Sequence, residues 1–468
     1  MKRCCRQLFF LLSCFLLVQV AQAALTIEVT KGSDSATKIA VSPFGWQGNT
    51  LLPEDMAGIV ENDLHLSGMF TPVSRNNMLS RPDEEQEVVY RDWDILGASY
   101  LVTGRITKKA NTYALTYELY DVLKRRKILS STARGNTAQL RALAHHVSDV
   151  IYQKITGLKG DFSTRIMYVT SREITPARQQ VDNRGKTIRI PAQYEYRLNY
   201  ADADGEQARV ILTSPEPILS PAWSPDGKQV AYASFETGRS AIFIQDLLTG
   251  HREQVTHFQG QTSSPAWSPD GKSLAMAVSR IADGNPDIYV MDMATRRFNQ
   301  VTRHYAIDTE PAWMPDGKSL VFTSNRGGGA QIYQQFLEWL AEGKVRPVAG
   351  RSARRLTFEG RFNARAKVVP DGSALVLVHK AEKGSTFSIA LQPLQGARQQ
   401  IQVLTFSSMD DAPSIGPGGR RLIYSVQGNA KRAGELAIMS IDGRVKSRLP
   451  ATEGSVREPA WGPAVDLR

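Results

Sequence analysis

The chain has 468 residues, 42% hydrophobic and 22% charged, with a formal charge of +11. That length exceeds one compact core, so two or more domains are expected, and the composition is that of an ordinary globular protein. Basic and acidic residues are interspersed without a Lys/Arg block or an aromatic–basic repeat, which argues against nucleic acid as a partner.

Lys2, Arg3 and Arg6 precede an apolar run over residues 8–18, and Ala21-Gln22-Ala23 follows as a small-x-small cleavage site. This pattern predicts a secretory signal peptide over 1–23 and a mature chain from Ala24. Leu11-Leu12-Ser13-Cys14 also resembles a lipidation box, but the apolar run continues past Cys14 and the later stop fits better. Cys4, Cys5 and Cys14 all fall in the leader, so no thiol, disulfide or Cys metal site is expected in the mature chain. Export without disulfides points to a bacterial periplasm. Losing the three leader charges lowers the formal charge from +11 to +8, which still permits weak attraction to anionic envelope surfaces.

Residues 24–158 read as a small α/β domain. Strands are expected over 25–29 and 37–44. A helix follows over 53–67, with Met56, Ile59, Val60 and Leu64 on one face and Gly68 at its end. Residues 99–106 and 112–119 alternate as a hairpin. A second helix starts near Asn136, with Gln139 as capping-box partner and Gly157 as its stop. Residues 157–163 are read as a short linker.

From about residue 162 to 468 a phrase repeats. Pro221-Ala222-Trp223-Ser224-Pro225-Asp226-Gly227 returns from Pro265 and, with Met314 for Ser, from Pro311. Fainter copies follow at Val368-Val369-Pro370-Asp371-Gly372, at Pro413 to Gly419, and at Pro459-Ala460-Trp461-Gly462-Pro463. The second prolines stand at 225, 269, 315, 370, 417 and 463, a spacing that suits one four-stranded blade per repeat. The first unit lacks its Pro-Ala-Trp strand, and the C-terminus has one with nothing after it. Joining the two completes a composite blade. The expected architecture is therefore a six-bladed β-propeller closed by strands from both ends of the propeller region, behind a small N-terminal α/β domain. Residues 172–193 read as an insertion in the composite blade.

In that order of parts the chain resembles the TolB family of periplasmic Tol-Pal proteins. The resemblance spans nearly the whole chain. It rests on the blades, on the phrase Pro53-Glu54-Asp55-Met56-Ala57-Gly58-Ile59-Val60, on the junction Leu158-Lys159-Gly160 before Arg165-Ile166-Met167-Tyr168-Val169, and on the tail Ser447-Arg448-Leu449-Pro450-Ala451-Thr452. It implies a non-enzymatic adaptor that joins the outer-membrane lipoprotein Pal to TolA, and through it to TolQ and TolR. It implies a role in outer-membrane integrity and invagination during division, with a monomer held at the outer membrane through Pal. Pal binding falls to the loops before the Pro-Ala-Trp strands. Carried over by position, these give Gln261, Ser264, Thr309, Glu310, Asp410 and Asp411. Where the family often has His-Asn-Gly-Ala, this chain has Gln261-Thr262-Ser263-Ser264. TolA binding falls to Ala24, Leu25, Thr26, Ile27 and Glu28.

The residues themselves supply no enzyme. No Gly-x-Ser-x-Gly elbow, His-Glu-x-x-His or mature cysteine nucleophile occurs. His65, His145, His146, His251, His257, His304 and His379 are scattered, and each is read as a surface or packing residue. The repeat tryptophans are read as scaffold between blades. No cofactor and no protein metal site are expected, although Glu310, Asp411 and Glu458 converging on the channel would suit a cation. The alternatives are an exported propeller hydrolase or lyase, or a peptidoglycan- or carbohydrate-binding propeller.

Overall fold

A computed structural model describes residues 27–29, 36–181, 183, 186–281, 284–384, 386–395, 400–407, 409–428, 433–449 and 454–464. The leader, its cysteines, and Ala24, Leu25 and Thr26 lie outside them.

The N-terminal sheet runs Phe70–Pro72, Thr37–Val41, Tyr100–Lys109, Thr112–Asp121 and Arg126–Gly135, with Gly45–Trp46 beside the central strand. Helix α1 (Met56–Leu66) is capped by Asp55, whose side chain accepts from the Gly58 N–H at 2.9 Å. Helix α2 (Tyr90–Ile95) and the strand Arg126–Gly135 were not expected from the sequence. Asn136 and Gln139 form the expected capping box. It opens a 3₁₀ turn, so helix α3 begins four residues later, as Leu140–Thr156, and ends at Gly157 in the left-handed region. Leu140, Leu143, Ala144, Val147 and Ile151 recur every three or four residues along α3 and are buried with α1 in one core.

Residues 157–163 are a packed joint rather than an open linker. Asp161 and Phe162 are buried, and Arg421 of the propeller donates from Nε to Asp161 Oδ1 at 2.7 Å.

Six four-stranded units form the ring. The inner strands of blades one to five are Ile218–Trp223, Thr262–Trp267, Asp308–Trp313, Phe362–Val368 and Asp410–Ile415. Blade six joins the inner strand Ser455–Ala464 to Thr164–Thr175, Gln193–Asp202 and Arg209–Ser214, so the chain ends close the ring as expected. Three of the four repeat tryptophans bond across blades, while Trp461 donates to Thr164 within blade six. Trp223, Trp267 and Trp313 donate from Nε1 to the carbonyls of Ala460, Ala222 and Ala266 at 3.0–3.2 Å. The Pro-Asp-Gly turn is fixed by Asp226, which accepts from Ser224 Oγ at 2.6 Å and from the Lys228 N–H at 3.1 Å, with Gly227 at φ 70°. At the outer edge, Thr256, Thr302, Thr357 and Thr405 accept through Oγ1 from the third-strand N–H groups of Ile242, Ile288, Ile332 and Ile389 at 2.8–2.9 Å. Blade three has a longer third strand, Gln331–Trp339, paired also with Val345–Pro347, which accounts for its 55-residue spacing.

Strand alternation puts the Pro-Asp-Gly turns at one end of the ring and the connections into the inner strands at the other. The N-terminal domain sits on the Pro-Asp-Gly end. The insertion extends two strands of blade six and adds a hairpin, Arg178–Val181 with Thr187–Ile190, at the other end. Ile27–Val29 pairs antiparallel with Val445–Leu449 as a fifth strand on blade five, with Ile27 opposite Ser447.

Candidate functional site: the mouth of the propeller channel

The inner strands share an irregularity. Ser220, Ser264, Glu310, Arg365, Ala412 and Glu458 all have φ between 50° and 54°, and pairing breaks at each. A non-glycine residue there costs on the order of 1–2 kcal/mol. Five of the six precede Pro, and Ala366 follows in blade four. The break directs all six side chains into the channel, where they line a cavity of about 60 Å³ with the prolines and Lys367. Strain repeated at one depth of a ring marks that depth as the place where the fold presents side chains.

The charges there are mutually arranged. Arg365 of blade four reaches Glu310 of blade three at 3.4 Å, Asp411 of blade five at 3.4 Å and Glu458 of blade six at 3.0 Å. Glu310 Oε2 also accepts from Thr323 Oγ1 at 2.8 Å and from the Arg365 N–H at 2.9 Å. Glu458 accepts from the Ser220 N–H at 3.0 Å. The expected convergence of Glu310, Asp411 and Glu458 therefore occurs around the chain's own guanidinium.

Burial lowers the Arg365 pKa, but Glu458, Asp411 and Glu310 outweigh it and hold the guanidinium charged. Burial also raises Glu458, yet Arg365, the Ser220 N–H and Lys367 bring it below the usual carboxylate range. At Asp411 burial dominates and the pKa is raised. The Lys367 ammonium is open to the channel but surrounded by protein, and that desolvation, with Arg365, lowers its pKa.

The structure brings only some of the expected site residues together. Ser264 and Glu310 line the channel, Asp411 reaches it through Arg365, and Thr309 sits half-buried opposite Thr323. Gln261 is exposed just before the inner strand of blade two, where its carbonyl accepts from the Ser279 N–H at 2.8 Å. Asp410 is fully buried and faces a second cavity beside the channel. Ile27 and Glu28 open the edge strand on blade five. The signal that would have found Arg365 is the column of residues before each Pro, in which blade four alone carries a cation.

Sequence reasoning also missed a charged cluster between the domains. Arg141 and His145 stand one turn apart on α3 and face the turn after Gln193–Asp202. Arg141 contacts Asp202 at 3.1 Å and Asp204 at 2.7 Å. His145 Nδ1 is 2.8 Å from Asp63, and its Nε2 lies 3.8 and 3.9 Å from Asp202 and Asp204. Burial lowers the His145 pKa, but Asp63, Asp202 and Asp204 overcome it and push it up to about 10. His145 is thus a packing residue, and a charged one.

A ring of six blades, with an α/β domain on one face and a charged mouth on the other, defines a two-domain propeller built to present its open end. No helix among the described residues is long and apolar enough to cross a membrane. Residues 25–128 match the TolB amino-terminal domain, and residues 152–465 match the TolB beta propeller domain. The chain is 42% identical over 448 residues to the Tol-Pal system protein TolB of Pseudomonas aeruginosa, across 96% of each chain. It is 43% identical over 458 residues to that of Pseudomonas putida, across 98% of each. The crystal structure of TolB from Acinetobacter baumannii matches it with a TM-score of 0.78 at 41% identity, over 94% of this chain and 100% of that one. The chain belongs to the TolB family of the Tol-Pal system.

Proposed function

We propose that the protein is a non-enzymatic periplasmic adaptor of the Tol-Pal system. Its propeller mouth binds Pal, and its N-terminal segment, residues 24–28, engages TolA, in support of outer-membrane integrity and invagination during division. The observation that carries the mouth assignment is the ring of strained residues that aims Ser264, Glu310, Arg365 and Glu458 into one opening, away from the N-terminal domain. Glu310, Asp411 and Glu458 are engaged with Arg365, so none of the three is poised as a general base, which favours binding over hydrolysis. The edge position of Ile27–Val29 supports a coupled role for the N-terminal segment. Three residue pairs hold that strand, so a modest shift in blade five releases it for another partner.

Photo-crosslinking in cells from an unnatural amino acid at Thr309 tests the mouth. Capture of a peptidoglycan-associated lipoprotein is the expected result. A Thr309 crosslink that never contains it, with the protein expressed and folded, overturns the reading.

A further inference from the structure

A second cavity, of about 210 Å³, opens beside the channel between blades four and five. Its walls include Phe362, Val378, Phe387 and Met409, with Asp410 and Gln427 as polar members and Glu310, Arg365 and Asp411 on the side it shares with the channel, so the acids of its lining outnumber the one cation. Phe362 and Phe387 meet edge to face at 5.2 Å. Phe358 and Phe406 stand 73% and 86% exposed in the connections into the inner strands of these two blades.

Asp410 is the unusual member. Its side chain is fully buried, Oδ1 accepts from Ser407 Oγ, and Oδ2 has no hydrogen-bond partner. No cation among the described residues pairs with it. A buried carboxylate without a counter-charge is costly, so its counterpart has to come from elsewhere.

The repeat shows what is missing. Asp308 holds the same position in blade three, as the first residue of its inner strand and two before the strained residue. Asp308 is neutralised by Arg326 at 2.7 Å. Arg326 lies two residues after Ser324, the pairing partner of Asp308; two residues after Val426, the partner of Asp410, the chain has Gly428. Among the described residues blade five thus keeps the acid and lacks the internal base, and a cavity with an aromatic and aliphatic wall stands in front of the acid.

We propose that this cavity is a socket for a lysine side chain of the mouth's protein partner. The alkyl stem lies against Phe362, Phe387 and Met409, and the ammonium donates to Asp410 Oδ2 and the Gln427 side chain. The aromatic walls suit an ammonium as well as a stem, and Lys380 already sits 4.5 Å from the Phe387 ring centre without lining the cavity. This assignment rests on the reading of the mouth as the partner-binding face.

Two measurements on the mature protein separate the two claims. In saturation-transfer NMR, Nα-acetyl-lysinamide at millimolar concentration is expected to bind the wild type, and its Nε-acetylated form at least about tenfold more weakly, since it lacks the charge. Asp410→Asn should weaken the lysine probe by a similar factor. Met409→Trp, at a 40% exposed position that leaves the core intact, should fill the socket and abolish binding. No probe binding by the wild type, or equal binding by Met409→Trp, overturns the socket. Calorimetry with purified Pal decides the other claim. Pal binding without a lysine-probe signal leaves the mouth reading standing and removes the socket. A probe signal with no Pal binding does the reverse.

Discussion

Arg365 sits where four blades meet, and its contacts bridge residues 55 and 93 positions away in the chain. Removing it would leave Glu310, Asp411 and Glu458 close together with no counter-charge but Lys367. These side chains are only partly buried, so deleting the shared cation should cost less than in a sealed core, and Arg365→Met should lower the urea stability of the propeller by about 1–3 kcal/mol. Loss of less than about 1 kcal/mol would mean that channel water already screens these carboxylates. Arg365 also shows the limit of the sequence at this scale. The fourth repeat was visible as the degenerate one, with a basic stretch where the Pro-Ala-Trp phrase was lost. That its arginine meets acids from three other blades was not visible, because the contacts follow ring closure and not local spacing. The column of residues before each Pro, in contrast, did point to the mouth.

Helix α3 is the element that ties the two domains. Its apolar stripe and capping box were legible from periodicity, while the cluster on its other side was not. Asp202 and Asp204 come from a turn of the composite blade, and nothing near His145 in the chain announces them. The pKa of His145 is raised in the folded protein to about 10, from an ordinary value of 6.5. Its stabilising contribution is therefore fully present below about pH 6.5 and is lost as pH rises towards 10. Urea unfolding of the wild type should show stability falling across that window. His145→Gln should flatten the slope there and destabilise the protein at neutral pH by about 3–5 kcal/mol, as for other broken buried pairs. An unchanged slope in the variant would place the titration elsewhere. The joint at 157–163 repeats the lesson. Its small and polar composition reads as a linker, yet Asp161 is buried by Arg421, 260 residues further on.

For the molecule as a whole, the repeat determined the ring, and its sixth copy, the stranded Pro459-Ala460-Trp461, showed how it closes. Trp and Pro-Asp-Gly proved to be scaffold: one staples neighbouring blades, the other turns the chain on the face that carries the N-terminal domain. What distinguishes this propeller lies at the opposite face, in residues the repeats do not share. This face is the proposed binding surface for Pal. Isothermal calorimetry of the mature protein with purified Pal, wild type against Thr309→Trp, tests it most directly. A one-to-one complex is expected for the wild type, and a loss of about 2 kcal/mol or more for the variant, as for a hot-spot position blocked by bulk. No heat with the wild type, or an affinity that Thr309→Trp leaves unchanged, would contradict it.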